Sequence, residues 1–197
     1  MNEHVTWVEV SEEALRTNLE GLRRLGQPSN PYRLAPVIKA NAYGHGLIPV
    51  ARICVDSGCE VLCINEVSEG VRLRDAGIQA RLYVVGPTFA AEAKDIVAAN
   101  LDVVVFSSEQ VAALATAAVA AGMVARVHVK IETGTHRQGV APDKAQELIC
   151  QIDETEGVIL VGVTTHLADV EDETEHTFAR TQLERFQAAV ADVPIQV

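Results

Sequence analysis

Three short stretches concentrate the side chains that could do chemistry. The first is VIKANAYGHG, residues 37–46, where an apolar run stops at Lys39 and Tyr43 follows within a glycine- and histidine-bearing turn. A lysine after a strand is ordinarily a solvated strand end. An amine held against protein walls loses hydration, which lowers its pKa and frees the neutral nucleophile that a Schiff base requires. Tyr43 adds a hydroxyl, and the NAYGHG turn adds backbone N–H groups near the same place; Gly44 and Gly46 also suit simple turn geometry. The second stretch, RVHVKIE (126–132), alternates: Val127, Val129 and Ile131 share one face, His128, Lys130 and Glu132 the other. An unpaired ammonium on an inward face is costly, so Lys130 is expected to be neutralised, with Glu132 available as a partner. The third stretch puts Leu160, Gly162, Thr164 and His166 on one face and ends on His166.

The elements that must position these groups repeat. Strands are expected at about 33–38, 60–64, 81–85, 102–106, 126–132 and 158–165, with a seventh beginning near 194. Helical patterns fill the gaps. Ser11 caps the first, whose stripe is Leu15, Leu19 and Leu22, and Gly26 stops it. Glu66 to Ala76 ends at Gly77; Ser107 and Gln110 form a capping box before Val111, Leu114 and Ala118, and Gly122 ends that helix. Pro142 opens the next, with Ala145, Leu148, Ile149 and Ile152 inward, and Leu183, Phe186 and Val190 define the last. Strand–helix alternation without hairpin turns implies parallel strands joined by crossovers. Near-continuously apolar strands in short units suit an α/β fold of the (β/α)8 TIM-barrel type. A doubly wound sheet is the competitor, but the GxGxxG loop that would favour it is absent. In a barrel, Lys39 falls at a strand's C-terminal end, where such folds place their chemistry.

Composition narrows the function. The chain has 197 residues, 48% hydrophobic and 22% charged, with a net charge of −11. This balance gives no electrostatic reason to bind nucleic acid or an anionic membrane. No apolar run has transmembrane length, and MNEHVTWVEV has no basic-then-apolar leader, so a soluble cytoplasmic protein is expected. Cys54, Cys59, Cys63 and Cys150 lack metal-site spacing and are read as free buried thiols. His166, Asp169 and Asp172 could be imagined around a metal, but the acidic run 169–175 reads as a solvated loop and no metal is expected. His4 and His176 are read as surface residues; His136 is read as a surface-loop histidine, with a substrate contact at the pocket mouth as the alternative.

VIKANAYGHG resembles the pyridoxal-phosphate (PLP) lysine motif of the alanine racemase family. VHVKIETGTHRQGV (127–140) resembles that family's lysine–TG–arginine block, THLADVED (165–172) its histidine block, and TWVEVSEEALRTNL its usual opening. The blocks occur in the family's order. The resemblance implies a PLP-binding barrel that interconverts L-alanine and D-alanine by removing and returning the α-proton, and so supplies D-alanine as a peptidoglycan precursor. It implies that Lys39 is the Schiff-base lysine and the acid/base on one face, and that Tyr43 binds the phosphate. It places Arg137 against the cofactor's phenolic oxygen and the substrate carboxylate. Lys130 is then a carbamylated lysine that holds this arginine, and His166 lies near the pyridine ring. His136 departs from the family's common form. The family runs to nearly twice this length, so residues 1–197 are expected to be the N-terminal part of the barrel, strands one to six and the start of seven. The C-terminal β domain, with the second acid/base, would be missing, and such a piece alone is expected to be inactive. A homodimer is implied for the whole enzyme. The alternatives are a racemase of serine, lysine or a broad range of amino acids, or a non-catalytic single-domain protein of PLP homeostasis.

Overall fold

The computed structural model describes residues 7–25, 34–171, 175–191 and 193. Five strands form one parallel sheet in sequence order: β1 (Val61–Ile64), β2 (Arg81–Val84), β3 (Asp102–Val105), β4 (Ala125–Lys130) and β5 (Val158–Thr164). The helices are α1 (Glu12–Arg24), α2 (Lys39–Tyr43), α3 (Leu47–Asp56), α4 (Val67–Asp75), α5 (Ala93–Ala98), α6 (Ser108–Ala121), α7 (Ala145–Asp153) and α8 (Thr177–Ala189). A doubly wound sheet reverses its strand order at a switch point. This one never reverses, so it is the arc of an incomplete (β/α) barrel.

The expected strand at 33–38 shrinks to a single parallel bridge between Val37 and Cys63. Ile38 donates its N–H to the Cys63 carbonyl and Cys63 donates to Pro36, each at 2.8 Å. Pro36 has no N–H to extend the ladder, and at Ala40 the chain turns left-handed, so the strand cannot grow. The segment still adds a sixth stave beside β1. The expected strand near 194 and the stop at Gly26 lie outside the described residues.

Local chemistry sets most helix starts. Ser11 Oγ accepts the Ala14 N–H at 3.1 Å, and Ser107 Oγ accepts from Gln110 at 3.3 Å. Packing departs from the expected stripes at both ends of the chain. Leu19 is the buried residue of α1, whereas Leu22 is 48% exposed. In α8 it is Gln182 that is wholly buried, and Leu183 faces outward at 44% exposure. Gln182 earns that place by saturating its amide, accepting from Ala168 N–H at 2.8 Å and donating to the Ala168 and Phe178 carbonyls. Cys54, Cys59 and Cys63 are buried free thiols, and burial pushes Cys54 and Cys63 up to about 11. Cys150, against expectation, is exposed. No helix among the described residues is long and apolar enough to cross a membrane.

The alternation in β4 holds. Val127, Val129 and Ile131 are fully buried against the helices. On the other face a polar column runs through the arc. At its base the Asp102 carboxylate, 1% exposed, pairs with Arg81 and with Arg126 Nε at 2.6 Å, and His128 Nε2 lies 3.6 Å away. Above it the His128 ring stacks obliquely on Tyr83, with centroids 4.2 Å apart. Gly162 on β5 makes room for that ring: a Cβ there would meet His128 Nδ1 at 2.6 Å. His128 is wedged between Tyr83 and Asp102 and cannot swing aside, so Gly162→Ala should lower stability by about 1–3 kcal/mol. Denaturant unfolding of the variant measures this, and an unchanged midpoint would contradict the packing described.

Candidate active site

The C-terminal ends of the strands form one rim, and the sequence's reactive residues stand on it. Lys39 follows the bridged segment directly and opens α2, which is left-handed. Ala40, Asn41, Ala42 and Tyr43 have φ of 51°, 57°, 53° and 53°. Each such residue costs roughly 1–2 kcal/mol, so the turn must be held from outside itself. Gly44, at φ 90°, closes it, and its N–H donates to the Ala40 and Asn41 carbonyls. A buried carboxylate from α4, Glu69, reaches the turn from beneath.

Lys130 ends β4 and is 6% exposed. Burial first, and then the Arg137 guanidinium, lower its pKa. The expected partner does not pair with it. Glu132 turns into the following loop, where its carboxylate accepts from Gly134 N–H at 2.5 Å, Thr135 Oγ1 at 3.0 Å and Arg137 N–H at 3.3 Å. Burial alone would raise the Glu132 pKa; the bonds from His136, Gly134, Thr135 and Arg137 outweigh it and hold the carboxylate ionised. Glu132 is thus a loop organiser. No acid among the described residues lies within ion-pair distance of Lys130.

His166 lies on the loop after β5. Its pKa is lowered by burial, then by the positive charges of Arg137, Lys130 and Lys39, against an opposing pull from Glu171. Arg137, Lys130 and Lys39 are thus within electrostatic reach of His166, and Arg137 is within reach of Lys130. Tyr43 shares the turn with Lys39, also lines an apolar groove between α1 and α3, and is 61% exposed. His136 is exposed at φ 52°, and His176 is exposed before α8. His4 and Asp172 lie outside the described residues, and no metal-holding cluster occurs among the described ones.

Sequence patterns did not disclose the residues that brace this rim. Thr133 and Thr165 hydroxyls join at 2.7 Å, tying the ends of β4 and β5. Arg185 of α8 donates to the Thr133 carbonyl at 3.0 Å, while Gln182 clamps Ala168, two residues beyond His166. Gln138 donates to the Val85 carbonyl at 2.8 Å and anchors the Arg137 loop to the end of β2. These are contacts distant in the chain. The only available signal was a polar residue at an inward helical position, as at Gln182.

The family described as "Alanine racemase, N-terminal domain" matches residues 10–197. An alanine racemase of Symbiobacterium thermophilum is 38% identical over 188 residues, which are 95% of this chain and 49% of that protein. The alanine racemase of Clostridium difficile 630 superposes with a TM-score of 0.91 at 29% identity, covering 100% of this chain and 52% of that one. A histidine racemase from Leuconostoc mesenteroides shares the fold with a TM-score of 0.88 at 22% identity. The chain therefore spans about half the length of the relatives it matches. It belongs to the alanine racemase N-terminal domain family.

Proposed function

We propose that the whole protein interconverts L- and D-alanine with pyridoxal phosphate, and that residues 1–197 supply the N-terminal part of its barrel. The observation that carries this is the cationic rim. Lys39, Lys130 and Arg137 gather with His166 at the C-terminal ends of the strands. Such a rim fits a ligand bearing a phosphate, a phenolate and a carboxylate. When bound, the cofactor makes the substrate's α-proton acidic by withdrawing electrons from that carbon. The protein's residues do the rest. Lys39 holds the cofactor covalently and carries the proton on one face. Tyr43 binds the phosphate, which requires its exposed hydroxyl to meet that group at the mouth. Arg137, a planar fork, orients the carboxylate, and His166 lies beside the ring, its pKa lowered first by burial and then by the charges of Arg137, Lys130 and Lys39. Racemisation needs a proton carrier on the opposite face. The family resemblance gives that role to a tyrosine of a C-terminal β domain, contributed by the partner in a cytoplasmic homodimer.

Lys130 takes a carbamate in this reading. Its depressed pKa leaves more neutral amine, which attacks the carbon of CO2 and releases a proton, and the resulting anion faces Arg137. Adding 13C-bicarbonate should give a carbamate NMR signal that Lys130→Ala removes, with activity falling at least about tenfold. A bare amine in the active protein would contradict it.

The substrate test is direct: the intact protein with PLP, offered alanine, serine, lysine and histidine as single enantiomers. Alanine is expected to racemise fastest. A clear preference for another amino acid would move the reading to a racemase of that substrate, and no racemisation of any would favour PLP homeostasis.

A further inference from the structure

The left-handed turn after Lys39 lacks any strong local cause. Ala40, Ala42 and Tyr43 have no preference for that region, and only Asn41 tolerates it well. The turn is gripped at Asn41. Its carbonyl accepts the Gly46 N–H at 2.9 Å, and its Oδ1 accepts the Leu47 N–H at 2.9 Å, capping α3. Its own N–H donates to Glu69 Oε1 at 3.2 Å. The other oxygen of Glu69 accepts from Asn65 N–H at 2.9 Å and from Glu66 N–H at 3.4 Å.

Glu69 is 6% exposed, and no cation pairs with it among the described residues. Its charge rests on backbone N–H groups alone. A capping box for α4 explains the bond to Glu66. It does not explain why the same carboxylate crosses to Asn41, 28 residues away in sequence. One side chain thus joins three things: the turn that aims Lys39, the end of β1, and the start of α4.

We propose that Glu69 is a positioning residue that locks the left-handed turn and thereby aims the Lys39 amine at the cofactor. This rests on Lys39 being the cofactor lysine. Without Glu69, the Asn41 N–H loses its buried acceptor and residues 40–43 relax toward ordinary backbone. Lys39 then keeps its chemistry but loses its direction.

The test compares the intact wild-type protein with Glu69→Gln and Glu69→Ala. Glu69→Gln keeps the shape but replaces one acceptor oxygen with an amide, which must face an N–H donor at either Asn41 or Asn65. Two readouts are taken: amide hydrogen exchange across residues 40–47, with β3 as internal control, and PLP loading of Lys39, trapped by borohydride and mapped by peptide. Exchange in the turn should quicken by about 10- to 100-fold while β3 is unchanged. The dissociation constant for PLP should rise about tenfold or more. Unaltered exchange in the turn, or faster exchange with full loading of Lys39, would overturn the proposal. So would equal acceleration in β3, which marks a general loss of stability. Wild-type protein loaded at a different lysine would instead refute the cofactor reading, and with it the purpose assigned to Glu69.

Discussion

Lys39→Ala in the intact protein is expected to lose covalent PLP and to racemise alanine at least about 10²- to 10⁴-fold more slowly, with its melting temperature nearly unchanged. The separation of effects follows from the structure. The Lys39 side chain is half-buried and supplies no hydrogen bond or ion pair to the described fold. The turn is held by its backbone and by Asn41 and Glu69, so removing the amine leaves the scaffold intact. Lys39→Arg sharpens the point. It keeps the positive charge on the rim, but a guanidinium neither forms the covalent bond nor gives up a proton near neutral pH. The loss should therefore match that of Lys39→Ala. Activity in the arginine variant near that of the wild type would mean that Lys39 serves only as a charge. The measurement is kcat/KM in both directions beside thermal unfolding.

Asp102→Ala should have the largest effect on stability, and it acts at the other end of the barrel arc. The carboxylate is 1% exposed between Arg81 and Arg126, with His128 beside it. Removing one member of a buried ion cluster typically costs about 3–5 kcal/mol, because the remaining charges stay without partners. Arg81 and Arg126 keep 38% and 26% side-chain exposure and can recover some hydration, so the lower part of that range is expected. The pH dependence has a definite sign. Burial would raise the Asp102 pKa, but the adjacent His128 imidazole, the hydrogen bond from Arg126 and the charges of Arg126 and Arg81 outweigh it and hold it below its ordinary 3.8. A carboxyl depressed in the folded state stabilises the protein above its unfolded pKa, and that contribution disappears as pH falls through the folded value. Wild-type stability should accordingly drop below about pH 4, and Asp102→Ala should lack that part of the acid limb. Urea midpoints measured across the acid range test both statements. A variant as stable as the wild type at neutral pH would show that the cluster contributes little.

The parts of the fold that the sequence revealed are those set by short-range pattern. The two-residue period of RVHVKIE separated the helix-facing valines from His128 and Lys130 because neighbouring side chains on a strand must point opposite ways. Ser11 and Ser107 marked helix starts because a cap is a local bond. Lys39, Lys130, Arg137 and His166 were named as a set through family resemblance, and each lies at or after the C-terminal end of a strand or bridged segment. What stayed hidden depends on residues far apart in the chain. The left-handed course after Lys39 is stabilised by Glu69 and cannot be inferred from Ala, Asn and Ala. Glu132 looked like a partner for Lys130 by alternation, yet the loop's own N–H groups satisfy it first. Gln182 displaced Leu183 from the core because a saturated amide that clamps the His166 loop competes with an apolar side chain.

Everything proposed for the site depends on Lys39 being the residue that binds the cofactor. Borohydride reduction of the intact, PLP-loaded protein, followed by proteolysis and mass mapping, reads this directly. A pyridoxyl group is expected on Lys39, within the VIKANAYGHG segment. A pyridoxyl group on Lys130 or Lys144, with Lys39 unmodified, would contradict it.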